Sequence, residues 1–109
     1  MSCDGIERIF GMIGLARRAG RAIIGTDLIC RAMPRGEVAL LVVSRGASAG
    51  TKKKLTFKCE FYKIELIELD IETEQLGRLL GKTYTPAAVA ITDSGIAEQI
   101  KKVHEALKQ

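Results

Sequence analysis

A chain of 109 residues, 47% hydrophobic and 28% charged, has the makings of one folded domain with an apolar core and not of a disordered tail. Its apolar runs fall far short of the ~20 residues of a membrane span, and its start lacks the positive-then-apolar pattern of a signal peptide, so a cytoplasmic protein is expected. The net charge of +4 is unevenly placed: residues 17–58 hold ten basic side chains against Asp27 and Glu37, whereas residues 59–109 hold nine acidic against six basic. Such asymmetry is the footprint of a polyanion binder, although a solvated basic face would look the same.

Ile6, Ile9, Phe10, Ile13 and Ala16 recur at helical spacing, which predicts a helix over about residues 5–18. Ala19-Gly20 ends it, with Arg17 and Arg18 in the last turn, where the helix dipole favours cations. Ala22–Ile24 reads as a short extended piece. Gly25-Thr26-Asp27 opens a second helix whose buried side is Leu28, Ile29, Ala32 and Met33, closed by Pro34 and Gly36. Val38–Val43 is a continuous apolar run and predicts a strand covered on both faces. Ser44–Gly50 reads as a loop of small residues. A third helix follows, capped by Ser48 or Thr51, opening on Lys52-Lys53-Lys54 and reaching about Tyr62. Leu66–Leu69 is the next strand, about Glu72–Leu80 a fourth helix, and Ala87–Ile91 the last strand. Thr92 or Asp93 caps a final helix with Ile96, Ile100, Val103 and Leu107 on one face. Helix and strand alternate to the end, which predicts a three-layer α/β/α sandwich. In such sheets ligands gather at loops beyond the strand ends and at helix N-termini.

No catalytic set emerges. His104 sits in the last helix as a surface or half-buried residue, and no Ser lies in a GxSxG turn. Cys3, Cys30 and Cys59 form no CxxC pair, so reduced thiols packed as small hydrophobes are expected in place of a metal site. Gly50-Thr51-Lys52 inverts the order of a phosphate loop. Glu65, Glu68, Asp70, Glu72 and Glu74 read as solvated strand edges and helix N-terminal charges. The chain is therefore expected to be no enzyme and to need no cofactor.

Two loops suit binding. Gly25-Thr26-Asp27 offers backbone N–H groups at a helix start, with Arg31 one turn on; an Asp beside an Arg can accept from a base and donate to a base or phosphate. A capped helix with an internal ion pair is the plainer alternative. From Arg45 to Lys54, small residues permit close backbone approach before Lys52, Lys53 and Lys54 supply charge, a phosphate clamp or simply an exposed helix terminus.

Taken in order, Gly14-Leu15-Ala16-Arg17-Arg18-Ala19-Gly20, Gly25-Thr26-Asp27-Leu28, Thr51-Lys52-Lys53-Lys54-Leu55, Cys59-Glu60-Phe61-Tyr62, Leu76-Gly77-Arg78-Leu79-Leu80-Gly81-Lys82 and Val89-Ala90-Ile91-Thr92-Asp93-Ser94-Gly95 cover nearly the whole chain. This series closely resembles the bacterial YlxQ-type proteins of the L7Ae/L30e ribosomal protein superfamily. The resemblance implies an α/β/α sandwich around a mixed four-stranded sheet, and RNA binding, to kink-turns in the best-understood members. Those members carry Gly-x-Asn-Glu-x-x-Lys at the start of the second helix to read sheared G·A pairs. Gly25 takes the Gly place, Asp27 the Asn place, Leu28 the Glu place and Arg31 the Lys place. Ionised Asp only accepts and Leu makes no hydrogen bond, so guanine edges would be left unpaired at about 1–3 kcal/mol each. The family's second contact region is the loop before the last strand, here Lys82 to Ala87. Tyr84 offers a stacking face, and Thr85, Pro86 and Ala87 would contact a splayed base.

The expectation is a monomeric, non-catalytic binder of structured RNA, associated with the ribosome and with ribosomal or translation-related proteins. Gly25, Thr26, Asp27, Leu28 and Arg31 would seat the RNA, and Arg45 with Lys52–Lys54 would neutralise phosphates. The alternative is a protein-interaction module on the same fold, using an exposed Leu28. An enzyme of nucleotide or methyl transfer finds no residues for its small-molecule site.

Overall fold

The computed structural model describes residues 2–82 and 85–107. Its elements are α1 (Ser2–Arg18), β1 (Ala22–Ile24), α2 (Thr26–Ala32) with a 3₁₀ turn (Met33–Arg35), β2 (Leu40–Ser44), α3 (Ala49–Tyr62), β3 (Leu66–Leu69), α4 (Thr73–Leu79), β4 (Ala88–Ile91) and α5 (Ser94–Leu107). The four strands form one mixed sheet in the order β1-β4-β2-β3. β4 runs antiparallel to both β1 and β2, and β3 runs parallel to β2. The expected three-layer α/β/α sandwich is the fold.

Alternation along the two central strands explains the layers. Leu40 and Val42 of β2, with Val89 and Ile91 of β4, face a core closed by Ile9 and Ile13 of α1, Leu76 of α4 and Ile100 of α5. Leu41 and Val43, with Ala88 and Ala90, face Ile29 of α2 and Leu55 and Cys59 of α3. Every residue of β2 and β4 is buried, as a strand covered on both faces must be. The two alanines on the second face leave room for α2 and α3 to approach closely.

Local chemistry sets the boundaries. Ser48, not Thr51, caps α3: its Oγ accepts from the Thr51 amide at 3.2 Å. Asp93, not Thr92, caps α5, accepting from the Ile96 amide at 3.0 Å. Glu72 and Gln75 form a reciprocal capping box for α4. α2 ends at Ala32, so Pro34 falls in the first positions of the 3₁₀ turn, where its missing N–H is not needed.

Two sequence readings need correction. Leu28 is not on the buried side of α2, being 53% exposed. A seven-residue helix buries one narrow stripe, and Ile29, Ala32 and Met33 fill it at i, i+3 and i+4. Ser44 is not loop but the last residue of β2, fully buried. Its Oγ donates to the Ile71 carbonyl at 2.7 Å and accepts from the Gly46 amide at 3.0 Å. One hydroxyl thus ties the end of β2 to two of the loops that leave this end of the sheet, β2–α3 and β3–α4. Ser44→Ala is expected to leave a buried acceptor and donor unpaired and to lower stability by about 1–3 kcal/mol, read as a lower urea midpoint at unchanged slope.

Candidate nucleic-acid interface

The strand directions gather three distant segments at one end of the sheet. Ile24 at the end of β1 pairs with Val89 near the start of β4, and Val43 near the end of β2 pairs with Ala88. The Ser44 amide donates to the Ala87 carbonyl at 2.9 Å, and the Arg45 amide to the Leu69 carbonyl at 2.9 Å. The β1–α2 turn at Gly25, the β2–α3 loop at Arg45–Ser48 and the segment entering β4 at Thr85–Ala87 therefore share one rim.

Gly25 turns the chain into α2 at φ 108° and ψ 130°, a conformation that disfavours any side chain. Its carbonyl accepts from the Ile29 amide at 3.0 Å, and no side chain caps the helix. Thr26 is half-buried, while Asp27 and Arg31 are exposed. Among the described residues Asp27 and Arg31 form no ion pair, so the plainer reading of an internally paired helix does not hold. Leu28 lines a shallow groove with Ile24, Ala32, Arg35, Glu37 and Lys82.

The β2–α3 loop is held from the β3 side. The Arg45 guanidinium bonds Asp70 and, at 2.9 Å, Glu72. The backbone approaches so closely there that a Cβ on Gly46 would lie 2.8 Å from Glu72 Oε1 and 3.2 Å from the Thr73 amide. Lys52 reaches Glu68 at 3.6 Å. Among the described residues Arg31, Lys53 and Lys54 are exposed and have no carboxylate partner. The rim thus carries balanced charge beside β3 and unbalanced positive charge along α3, while Asp27 and Arg31 offset each other on α2. Pro86 is buried, Ala87 half-buried and Thr85 exposed; Tyr84 lies outside the described residues.

Sequence reasoning missed the clamp on Arg45, because Asp70 and Glu72 read as ordinary surface acids. Only the parallel pairing of β2 with β3 brings them within reach from 25 and 27 positions away. Lys82, the first residue of the expected loop contact region, faces the groove beside Leu28.

Among the described residues no His, Cys, Asp and Glu cluster could hold a metal ion. Burial pushes the Cys59 thiol up to about 11, with Cys30 adding to the effect, so it stays protonated and unreactive. No helix of the described residues is long and apolar enough to cross a membrane.

Residues 7–101 match the ribosomal protein L7Ae/L30e/S12e/Gadd45 family. The chain belongs to this family. It is 34% identical to the RNA-binding protein YlxQ of Bacillus subtilis over 84% of this chain and 89% of that one. It is 33% identical to the YlxQ of Enterococcus faecium over 91% and 93%. The large ribosomal subunit protein eL30 of Methanosarcina mazei is 30% identical over 73% and 74%. Among solved structures, a protein of unknown function from Bacillus halodurans superposes with a TM-score of 0.82 at 29% identity, covering 89% of this chain and 96% of that one. The Giardia lamblia 15.5kD RNA binding protein shares the fold at a TM-score of 0.78 and 18% identity, over 95% and 90%.

The buried thiol gives a direct check. Cys59 in the native protein is expected to resist iodoacetamide at pH 8, and to react once urea unfolds the chain, as peptide mapping by mass would show.

Proposed function

We propose that this chain is a non-catalytic, single-domain RNA-binding protein whose rim at the Gly25, Arg45 and Ala87 end of the sheet seats a structured RNA. The observation that carries the reading is the meeting, at one end, of three segments far apart in sequence, with unbalanced cations beside them. Membership of a family with RNA-binding relatives supports it. RNA phosphates are the partner that a cluster of exposed Arg and Lys meets best, and their neutralisation releases counterions.

The rim divides the work. Lys53 and Lys54 neutralise phosphates, with Lys52 and Arg45 fixed at the edge by their acidic partners. Gly25 and Thr26 bring backbone close to the RNA, Asp27 accepts from a base amino group, and Arg31 replaces the family's lysine as a donor. Thr85 and Ala87 border a splayed base, which Pro86 braces from below and Tyr84 stacks upon. Leu28 packs against sugar or base surface where other members place a glutamate. The RNA is ribosomal or another structured RNA with a kink-turn-like bend, read more by shape and backbone than by base edges.

A salt titration with three RNAs tests this: a kink-turn, the same RNA with its G·A pairs replaced, and a plain duplex. Binding to the kink-turn is expected to be tightest but only modestly so, because Asp27 and Leu28 leave guanine edges unmet. Lys53→Glu with Lys54→Glu is expected to weaken all three complexes and to flatten the salt slope by about one for each phosphate no longer neutralised. Asp27→Asn with Leu28→Glu is expected to widen the kink-turn preference. No binding of any RNA at low salt would overturn the proposal in favour of a protein-interaction module.

A further inference from the structure

The outer face of α3 carries two large aromatic side chains that no core uses. Phe57 and Phe61 are 61% and 71% exposed. They stand one turn apart and line, with Lys54, Lys58 and Tyr62, a groove of about 310 Å³. The Phe61 and Tyr62 rings meet in a T-shaped pair, with centroids 4.9 Å apart and planes at 85°, and Phe61 still keeps most of its surface open to solvent. Lys54, Phe57, Lys58 and Phe61 follow one another at i, i+3, i+4 and i+7, so cation and ring alternate along one helix face.

Charge decides what covers such a strip. A second copy of the chain would set Lys54 and Lys58 against their own counterparts. Glu60 is the one acidic residue of α3, and it does not balance Lys53, Lys54 and Lys58. An anionic strand with exposed ring faces fits both features: its phosphates meet the lysines and its unstacked bases meet Phe57 and Phe61. A duplex, whose bases are already stacked, fits only the lysines. The strip also begins where the rim ends, because the same helix starts at the β2–α3 loop and carries Lys53 and Lys54.

We propose that the Lys54–Phe61 face of α3 is a stacking platform for single-stranded RNA flanking the structured element held at the rim. The proposal rests on the RNA-binding reading above and extends it along the helix, away from the rim.

The test uses a hairpin RNA with and without a tail of about eight uridines, a length within the usual single-strand site size. Affinities are measured for the wild type, for Phe57→Ala with Phe61→Ala, and for Phe57→Tyr with Phe61→Tyr. All these positions are exposed, and unchanged thermal melting checks that the fold is kept. The tail is expected to tighten wild-type binding at least about tenfold, the alanine pair to abolish that gain while holding the tail-less hairpin as before, and the tyrosine pair to keep it. A wild type that binds the hairpin but gains nothing from the tail overturns this inference and leaves the rim reading intact. A gain that survives in the alanine pair places the tail elsewhere and also overturns it. Binding of neither RNA overturns both readings. Concentration-dependent dimers without RNA, abolished in the alanine pair, would assign the face to a second copy instead. Binding of an acidic amphipathic peptide that the alanine pair abolishes, with no gain from the tail, would assign it to a protein partner.

Discussion

The hydroxyl of Ser44 holds the rim end of the sheet together. It is buried at the last position of β2, where the sheet stops and loops begin. By donating to the Ile71 carbonyl and accepting from the Gly46 amide it fixes the β3–α4 connection and the β2–α3 loop to the same strand. A buried hydroxyl is tolerated only when paired, so the two loops cannot drift apart without exposing an unmet polar group. Gly46 then permits their close approach, since a side chain there would collide with Glu72. The geometry of the rim depends on this joint.

Charge is sorted around it. The acids of β3 and its following turn neutralise Arg45 and Lys52, which orders the loop while quieting that flank. At the far end of the sheet, Lys101 is paired with Glu98 and Glu65, an arrangement that lowers the Glu98 pKa and raises that of Lys101. A surplus of positive charge remains along α3, where Glu60 faces Lys53, Lys54 and Lys58. Exposed ion pairs of this kind contribute little to stability, so their effect is to shape the field that a polyanion meets.

Much of this was legible in the sequence, for identifiable reasons. Strands buried on both faces leave unbroken apolar runs, so Val38–Val43 and Ala87–Ile91 read as strands, although β2 begins only at Leu40 and runs on through Ser44, and β4 begins at Ala88. The caps narrow to Ser48 or Thr51 and to Thr92 or Asp93 because their side-chain oxygens can accept from a helix N–H. The site segments were legible through their resemblance to a family, and the register then set them on one rim. What the sequence hid were consequences of tertiary pairing. Arg45 meets Asp70 and Glu72 only because β2 and β3 lie side by side, and Ser44 looks like any loop serine until Ile71 arrives beside it. Leu28 misled because a short helix has one buried stripe, and composition does not say where its edge falls. Phe57 and Phe61 stay outside the core because Leu55 and Cys59 fill the inner side of α3.

The central claim is that RNA sits on the rim, and amide chemical-shift mapping with a tail-less hairpin RNA tests it most directly. With RNA seated there, the largest changes are expected on Gly25–Leu28, Arg31, Arg45–Lys54 and Thr85–Ala87, with little change at Lys63–Glu65 and Glu98–Glu105 at the opposite end. Changes concentrated on that opposite end, or spread evenly over every charged surface, would contradict it.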